Sequence, residues 1–265
     1  MNQICVVIPT YNFFDMTKEC VELVKEHAGI GVDILVVDDG SDTPYIDSSI
    51  NVIRIEKNSG ATNAVNQGIL WCSDRYKYIM LMDNDIIPEP NFIKHLYEHM
   101  ESDPVTGIAS SVRIDRRPEK PLYGLNSIDL LNGHLLCLYR CNDEMDVIYC
   151  DWLNMCCALV RTEMFRYIGI LDRQFAHYCT DSDLCIRANQ NGWNVAIVPK
   201  SKAEHKISVT MHAYKKEFAP DQKLFVEKLI GKKTSELMDR IPFNIVDNTW
   251  GRLRFEVYKK KDESK

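Results

Sequence analysis

The chain has 265 residues and a mass of 30.6 kDa, with 45% hydrophobic and 26% charged residues. That is one large domain or two small ones, long enough to bury a core without staples, and it excludes disordered and collagen-like chains. The formal net charge of -6 argues against a general nucleic-acid binder.

Ile4-Cys5-Val6-Val7-Ile8 is a short apolar run stopped by Pro9, which predicts a strand buried on both faces. Asp15 to His27 has helical spacing through Met16, Cys20, Leu23 and Val24. Ile34 to Val37 predicts a second buried strand, ended by the acidic turn Asp38-Asp39-Gly40-Ser41-Asp42. Val52 to Ile55 predicts a third strand and Ala61 to Trp71 a helix. Tyr78 to Met82 predicts a fourth strand that ends at Asp83-Asn84-Asp85, and Phe92 to Met100 a helix. Strands alternating with helices predict an α/β fold with a mostly parallel central sheet flanked by helices. The strand ends then share one edge, where open sheets of this kind bind ligands. Two acidic groups distant in sequence are expected to meet there.

The second half is less regular. Val105 to Ile114 adds strand, Asp115 to Leu125 reads as a loop, and Arg161 to Tyr167 as a short helix after an apolar run. Asp181 to Asn191 predicts a helix opened by Thr180, and Val195 to Val198 a short strand. Helix is expected around Pro220, and strand-like alternation from Trp250 to Tyr258. Residues from Tyr214 onward carry net positive charge. The Lys259-Lys260-Lys261 tail reads as a solvated end, with weak association with an anionic membrane as the alternative.

No apolar run reaches the roughly 18 residues of a membrane span, and Ile4 to Pro9 is too short for a secretory signal. Ten cysteines without a CxxC pair point to a reducing, cytoplasmic setting, peripheral to a membrane at most. His95 and His99 share a helix face but have no third ligand nearby, so they read as a surface pair.

Asp83-Asn84-Asp85 is the sharpest chemical signal. Paired hard oxygen ligands at a strand end suit Mg²⁺ or Mn²⁺, which commonly hold substrate phosphates. Five segments extend this signal in order: Val7 to Asn12, Val36 to Ser41, Asn58-Ser59-Gly60 with Asn66-Gln67-Gly68, Leu81 to Asp85, and Ala158 to Arg187. On these residues the chain resembles family 2 glycosyltransferases with a GT-A fold, and most of all their rhamnosyltransferase-like branch. The resemblance spans about residues 4–210.

It implies a nucleotide-sugar-binding half over residues 1–100 and an acceptor and catalytic half over 101–213. Residues 214–265 would be a C-terminal helical extension and tail. Pro9, Thr10 and Tyr11 would line the nucleotide, with Tyr11 stacking on the base. Asp39, with Asp38, would accept the imide N–H of uracil or thymine. Gly60 would admit the nucleotide closely, with Asn63 and Asn84 nearby. Asp83 would serve the ribose or a metal-bound water, Asp85 would ligate the metal directly, and His205 would add a third ligand. Asp181 would be the general base, with Asp183 behind it, and Trp152 and Asn154 would face the acceptor. The usual Glu-Asp-x-Asp-Leu pattern reads Thr180-Asp181-Ser182-Asp183-Leu184 here, so one carboxylate is missing and Thr180 stands as a candidate helix cap.

The implied activity is inverting transfer from a UDP- or dTDP-linked sugar donor to a hydroxyl of a glycan or glycolipid acceptor, with Mn²⁺ or Mg²⁺ as cofactor. A non-catalytic sugar-nucleotide or glycan-binding module of the same fold is the alternative. A nucleotidyltransferase would carry a glycine-rich basic loop after the first strand, and a dinucleotide dehydrogenase G-x-G-x-x-G. Pro9-Thr10-Tyr11-Asn12 stands there instead.

Overall fold

A computed structural model of the chain describes residues 2–114, 146–175, 178–206 and 219–230, together with the backbone of the strands Tyr123–Asp129, His134–Tyr139, Asn244–Asp247 and Arg254–Glu256. In chain order the first half gives β1 (Ile4–Thr10), α1 (Phe14–His27), β2 (Asp33–Asp39), β3 (Asn51–Ile55), α2 (Ala61–Cys72), β4 (Tyr78–Met82), β5 (Ile86–Pro88) and α3 (Phe92–Ser102). The second half gives β6 (Thr106–Ile114), β7 (Tyr123–Asp129), β8 (His134–Tyr139), β9 (Ile148–Tyr149), β10 (Cys157–Arg161), α4 (Met164–Ile168), α5 (Thr180–Gln190), β11 (Asn194–His205), α6 (Ala219–Ile230), β12 (Asn244–Asp247) and β13 (Arg254–Glu256).

The main sheet runs β3-β2-β1-β4-β10-β6-β11-β5, and β12 pairs with β13 apart from it. Successive side chains on a strand point to opposite faces, and that alternation sorts the core into two layers. Cys5, Val7, Leu35, Val37, Ile79 and Leu81 pack on one face with Ala64, Ile69 and Cys72 of α2 and Leu184, Cys185 and Ala188 of α5. Ile4, Val6, Ile8, Val36, Met80 and Met82 pack on the other, with Cys20, Val21 and Val24 of α1 and Phe92, Ile93, Leu96 and Met100 of α3. Helices cover both faces, so the central strands carry near-continuous apolar runs, with polar residues such as Thr10, Asp38, Asp39 and Arg161 at their ends.

β1 is parallel to β2 and β4, and β2 is parallel to β3. β10 breaks the pattern. It runs antiparallel between β4 and β6, while β11 runs parallel to β6. The expected single rim therefore collects the C-terminal ends of β1, β2, β4, β6 and β11 but the N-terminal end of β10, with Cys157 opposite Met82. A buried arginine anchors the opposite end of β10. Arg161 donates to the Thr106 and Met100 carbonyls and to the Tyr78 hydroxyl, which in turn donates to Glu101.

Several boundaries differ from the sequence expectation. β2 runs on through Asp38 and Asp39, so these residues end the strand instead of forming the turn after it. The expected helix from Arg161 begins at Met164, because Arg161 completes β10. β11 extends to His205, seven residues past the expected end at Val198, through a register shift against β6 between Val198 and Lys202. Most of the loop expected over Asp115 to Leu125 lies outside the described residues, as does the Lys259-Lys260-Lys261 tail; Tyr123 to Leu125 belong to β7. α6 appears where helix was expected around Pro220, and it is part of the main body, with Phe225 buried in the same apolar layer as Leu184. His95 and His99, expected as a surface pair, are both half-buried, and His99 bonds Thr106.

Gly68 sets the spacing of α2 on the sheet. A Cβ added there would lie 2.2 Å from Cγ1 of Val7 and 3.3 Å from Cγ2 of Val37. Gly68→Ala should destabilise the fold by about 1–3 kcal/mol through overpacking, although alanine favours the helix. The expected result is a lower urea midpoint at unchanged m; an unchanged midpoint would show that α2 is free to shift.

Candidate active site

β4 ends at Met82 because the chain turns there. The Asp83 amide donates to the Cys156 carbonyl (2.9 Å), and β5 then leads back antiparallel to β11, with Ile86 opposite His205. The Lys206 amide donates to the Asp85 carbonyl (2.9 Å), which locks the end of β11 beside the turn. His205 is thus delivered to the carboxylates by strand pairing. Its Nε2 lies 2.9 Å from Oδ1 of Asp85 and 3.7 Å from Oδ2 of Asp83. One ligand atom from each of Asp83, Asp85 and His205 lies within 4.8 Å of the others, an arrangement able to hold a metal ion. Two hard carboxylates and one imidazole form a donor set that fits a divalent cation of the Mg²⁺ or Mn²⁺ kind.

The electrostatics agree with a cation-binding cluster. Burial works against charge on His205, but hydrogen bonds with Asp85 and Cys156 and the Asp83 charge outweigh it and push its pKa up to about 11. A proton and a cation compete for the same position between imidazole and carboxylates. Asp83 is pushed up to about 6 by burial; His205 opposes the rise, while the like charges of Asp85 and Asp181 add to it. Its side chain is 48% exposed, so water at the cleft mouth relieves part of that burial, and the direction of the shift is what matters here. Asp181 sits in the first turn of α5, and its influence on Asp83 places the two carboxyls in one field, although nearly a hundred residues separate them. Burial raises Asp181 to about 6 against hydrogen bonding from the Ser182 amide (2.8 Å).

Asp183 has different partners. Its carboxylate is held by Lys228 at 2.7 Å on one oxygen and by Arg187 at 2.7–2.8 Å on the other, and it is buried. The expected pairing with Arg187 is observed, and together with Lys228 it engages both Asp183 oxygens with cations. Thr180 is not the helix cap. Cys179 takes that position in a left-handed conformation with φ 61°, and no side chain caps the helix.

The nucleotide candidates divide in the same way. Asp38 is fully buried, accepting from the amides of Ser41 (3.0 Å) and Tyr45 (3.0 Å) and pairing with Arg54. Burial alone would raise its pKa, but these bonds hold it below the usual carboxylate value. Asp38 is therefore a structural anchor for the rim loop and is closed to a base. Asp39 accepts from the Ser59 amide (2.9 Å) and hydroxyl (2.6 Å) on one oxygen and from the Gly60 amide (2.9 Å) on the other. A carboxylate has about four acceptor sites, so one site on Oδ2 remains for an outside donor. Gly60 has φ 90° at the start of α2, a backbone state that only glycine adopts easily. Asn63 reaches back to the Ser59 hydroxyl (2.8 Å).

Thr10 and Asn84 turn inward. Thr10 Oγ1 lies 2.7 Å from Thr17 Oγ1, and Asn84 donates to the same Thr17 oxygen (3.0 Å). These bonds hold the Thr10 hydroxyl and the Asn84 amide nitrogen against α1. Pro9 and Tyr11 flank Thr10 at the β1 rim, both half-buried. Trp152 is buried in the apolar layer with Phe175 and Leu184, which is the core alternative to an acceptor platform, whereas Asn154 two residues on is exposed. Asn66 is likewise structural: its side-chain amide exchanges two hydrogen bonds with the Leu171 backbone.

Sequence reasoning missed Cys156 beside His205, and the Lys206–Glu19 ion pair (2.8 Å) that ties the end of β11 to α1. Only adjacency to Asp83 and His205 in space marks them.

The glycosyl transferase family 2 profile matches residues 5–165. The glycosyltransferase GlyG of Streptococcus pneumoniae is 32% identical over 107 residues, which is 37% of this chain and 35% of that protein. An uncharacterized protein of Methanocaldococcus jannaschii is 34% identical over 117 residues, 38% of this chain and 50% of that protein. The matched regions thus span between a third and a half of these relatives. The crystal structure of GalNAc-T7 with UDP, GalNAc and Mn²⁺ superposes with a TM-score of 0.62 at 13% identity, over 77% of this chain and 44% of that one. That likeness shows the GT-A fold. On the family match, which covers more than half of its length, the chain belongs to glycosyl transferase family 2.

Proposed function

We propose that this chain is an inverting glycosyltransferase that moves a sugar from a UDP- or dTDP-linked donor to a hydroxyl of a glycan or glycolipid. The observation that carries the reading is the meeting of Asp83, Asp85 and His205 at the sheet rim, with the Asp181 carboxyl in the same field. The family membership and the fold of a UDP- and Mn²⁺-bound neighbour support it. Within the family, a deoxyhexosyl donor of the rhamnosyl type is the narrower reading, supported by the stretch from Ala158 to Arg187.

In this reading Asp85 and His205 hold Mn²⁺ or Mg²⁺, and Asp83 holds the ribose or a metal-bound water. When bound, such a cation supplies a Lewis acid that offsets charge on the departing diphosphate. Pro9, Thr10 and Tyr11 at the end of β1, with Asp39, Gly60 and Asn63 across from them, bind the nucleoside; the last acceptor site on Asp39 suits an imide N–H. Asp181 takes the proton from the acceptor hydroxyl as its oxygen attacks the anomeric carbon. The bond from that carbon to the diphosphate oxygen breaks on the opposite face. Asn154, exposed just before β10, faces the acceptor in this reading.

Nucleotide release from UDP-, dTDP- and GDP-sugars, with Mn²⁺, Mg²⁺ or EDTA, tests the proposal. The expected result is release from one donor class that EDTA abolishes. Tight donor binding with no release, even with glycan acceptors added, would favour a binding module, and no nucleotide binding would sink both readings.

A further inference from the structure

Helices α5 and α6 both lie beyond residues 5–165 matched by the family, and α6 grips both ends of the segment that carries Asp181. The Tyr178 amide donates to Oδ2 of Asp221 at 2.7 Å, three residues before Asp181. Lys228 donates to Oδ1 of Asp183 at 2.7 Å, two residues after it, and to Oδ2 of Asp172 at 2.6 Å. Asp221, Phe225 and Lys228 have i, i+4, i+7 spacing and so share one face of α6. Phe225, between the two polar grips, is buried in the core. Lys228 also lies 5.0 Å from the ring centre of Phe175, whose carbonyl accepts from Thr62 of α2. The loop before α5 is therefore held by α2 from one side and α6 from the other.

The start of α5 needs such support. It has no side-chain cap, and Cys179 holds a left-handed backbone at a non-glycine residue. Both features cost stability locally, so contacts from elsewhere must fix the turn. The charge on Asp183 is shared between Lys228 and Arg187, which leaves it paired if either cation is removed.

The geometry points to Lys228 and Asp221 as positioning residues for Asp181: α6 fixes the uncapped first turn of α5, which carries the base carboxyl. This rests on the reading of Asp181 as the general base. Lys228→Met keeps most of the stem and loses the ammonium, while Lys228→Arg keeps the charge. The test compares both variants and Asp181→Asn with the wild type by hydrogen exchange over residues 178–185. It also follows hydrolysis of the UDP-, dTDP- or GDP-sugar that the wild type releases fastest in Mn²⁺.

Lys228→Met should speed exchange in 178–185 while β1 stays protected. Its kcat should fall roughly ten- to hundredfold at nearly constant donor KM, since misplacing a reacting group by about 1 Å costs on the order of 10²-fold. Lys228→Arg should recover most of both. Unchanged exchange in Lys228→Met overturns the inference, including where no donor is hydrolysed. So does a loss shared equally by kcat, KM and the β1 amides, or a loss that arginine does not restore. If Asp181→Asn keeps wild-type hydrolysis, the base reading fails; if it is inactive while Lys228→Met keeps its kcat, only the positioning role fails.

Discussion

Asp85→Ala should lower Mn²⁺-dependent nucleotide release by roughly a thousandfold. Asp85 is the buried member of the cluster, and its Oδ1 lies 2.9 Å from His205. Lewis-acid stabilisation of a leaving phosphate oxygen contributes several kcal/mol, and about 1.4 kcal/mol is a factor of ten. Without Asp85, the remaining Asp83 and His205 stand 3.7 Å apart, and Asp83 is half exposed. Asp83→Asn should cost less, because its oxygen lies at the edge of the cluster and an amide still accepts a ribose hydroxyl. Steady-state rates across a Mn²⁺ titration measure both effects. An Asp85→Ala rate within threefold of wild type would show that the cluster serves folding alone.

Asp181→Asn should reduce kcat by about 10²- to 10⁴-fold, the usual contribution of a positioned base. Asparagine keeps the shape and cannot take a proton. The pH profile gives a second readout. Burial raises the Asp181 pKa to about 6, so the carboxylate that must accept the proton is lost as pH falls through 6. Wild-type kcat should then drop tenfold per pH unit below that point at saturating Mn²⁺, and the residual rate of the variant should not. The stability effect has the opposite sign. A carboxyl whose folded pKa lies above its unfolded value favours the fold most at low pH, and that contribution is lost as pH rises through 6. Above pH 6 the variant should unfold at the same temperature as wild type or higher. Equal loss of activity and stability would indicate a structural defect.

The central strands and the acidic rim were legible because the apolar runs Ile34 to Val37 and Tyr78 to Met82 each end abruptly in carboxylates. Asp83 and Asp85 could be nominated on that basis and on the resemblance, and Asp181 on the resemblance alone. The position of His205 could not be derived from periodicity. β11 reaches it through Lys200-Ser201-Lys202, a polar stretch with a register shift, and no apolar pattern survives there. Adjacent residues on a strand face opposite ways, so the pair Asp38-Asp39 gave no sign of which one the protein uses internally. Arg54, on the neighbouring strand, decides for Asp38, and Ser59 with Gly60 hold Asp39 while leaving it an acceptor site. The grip of α6 on α5 was hidden for a similar reason, since Lys228 and Asp183 are ordinary helical charges until packing pairs them.

Calorimetric titration with UDP, in Mn²⁺ and then in EDTA, on wild type and Asp85→Ala, tests the central claim most directly. If the rim cluster binds nucleotide through a cation, UDP binds wild type in Mn²⁺, and the binding weakens at least tenfold in EDTA or in Asp85→Ala. Equal UDP affinity under all of these conditions would contradict the assignment of Asp83, Asp85 and His205 as the metal site.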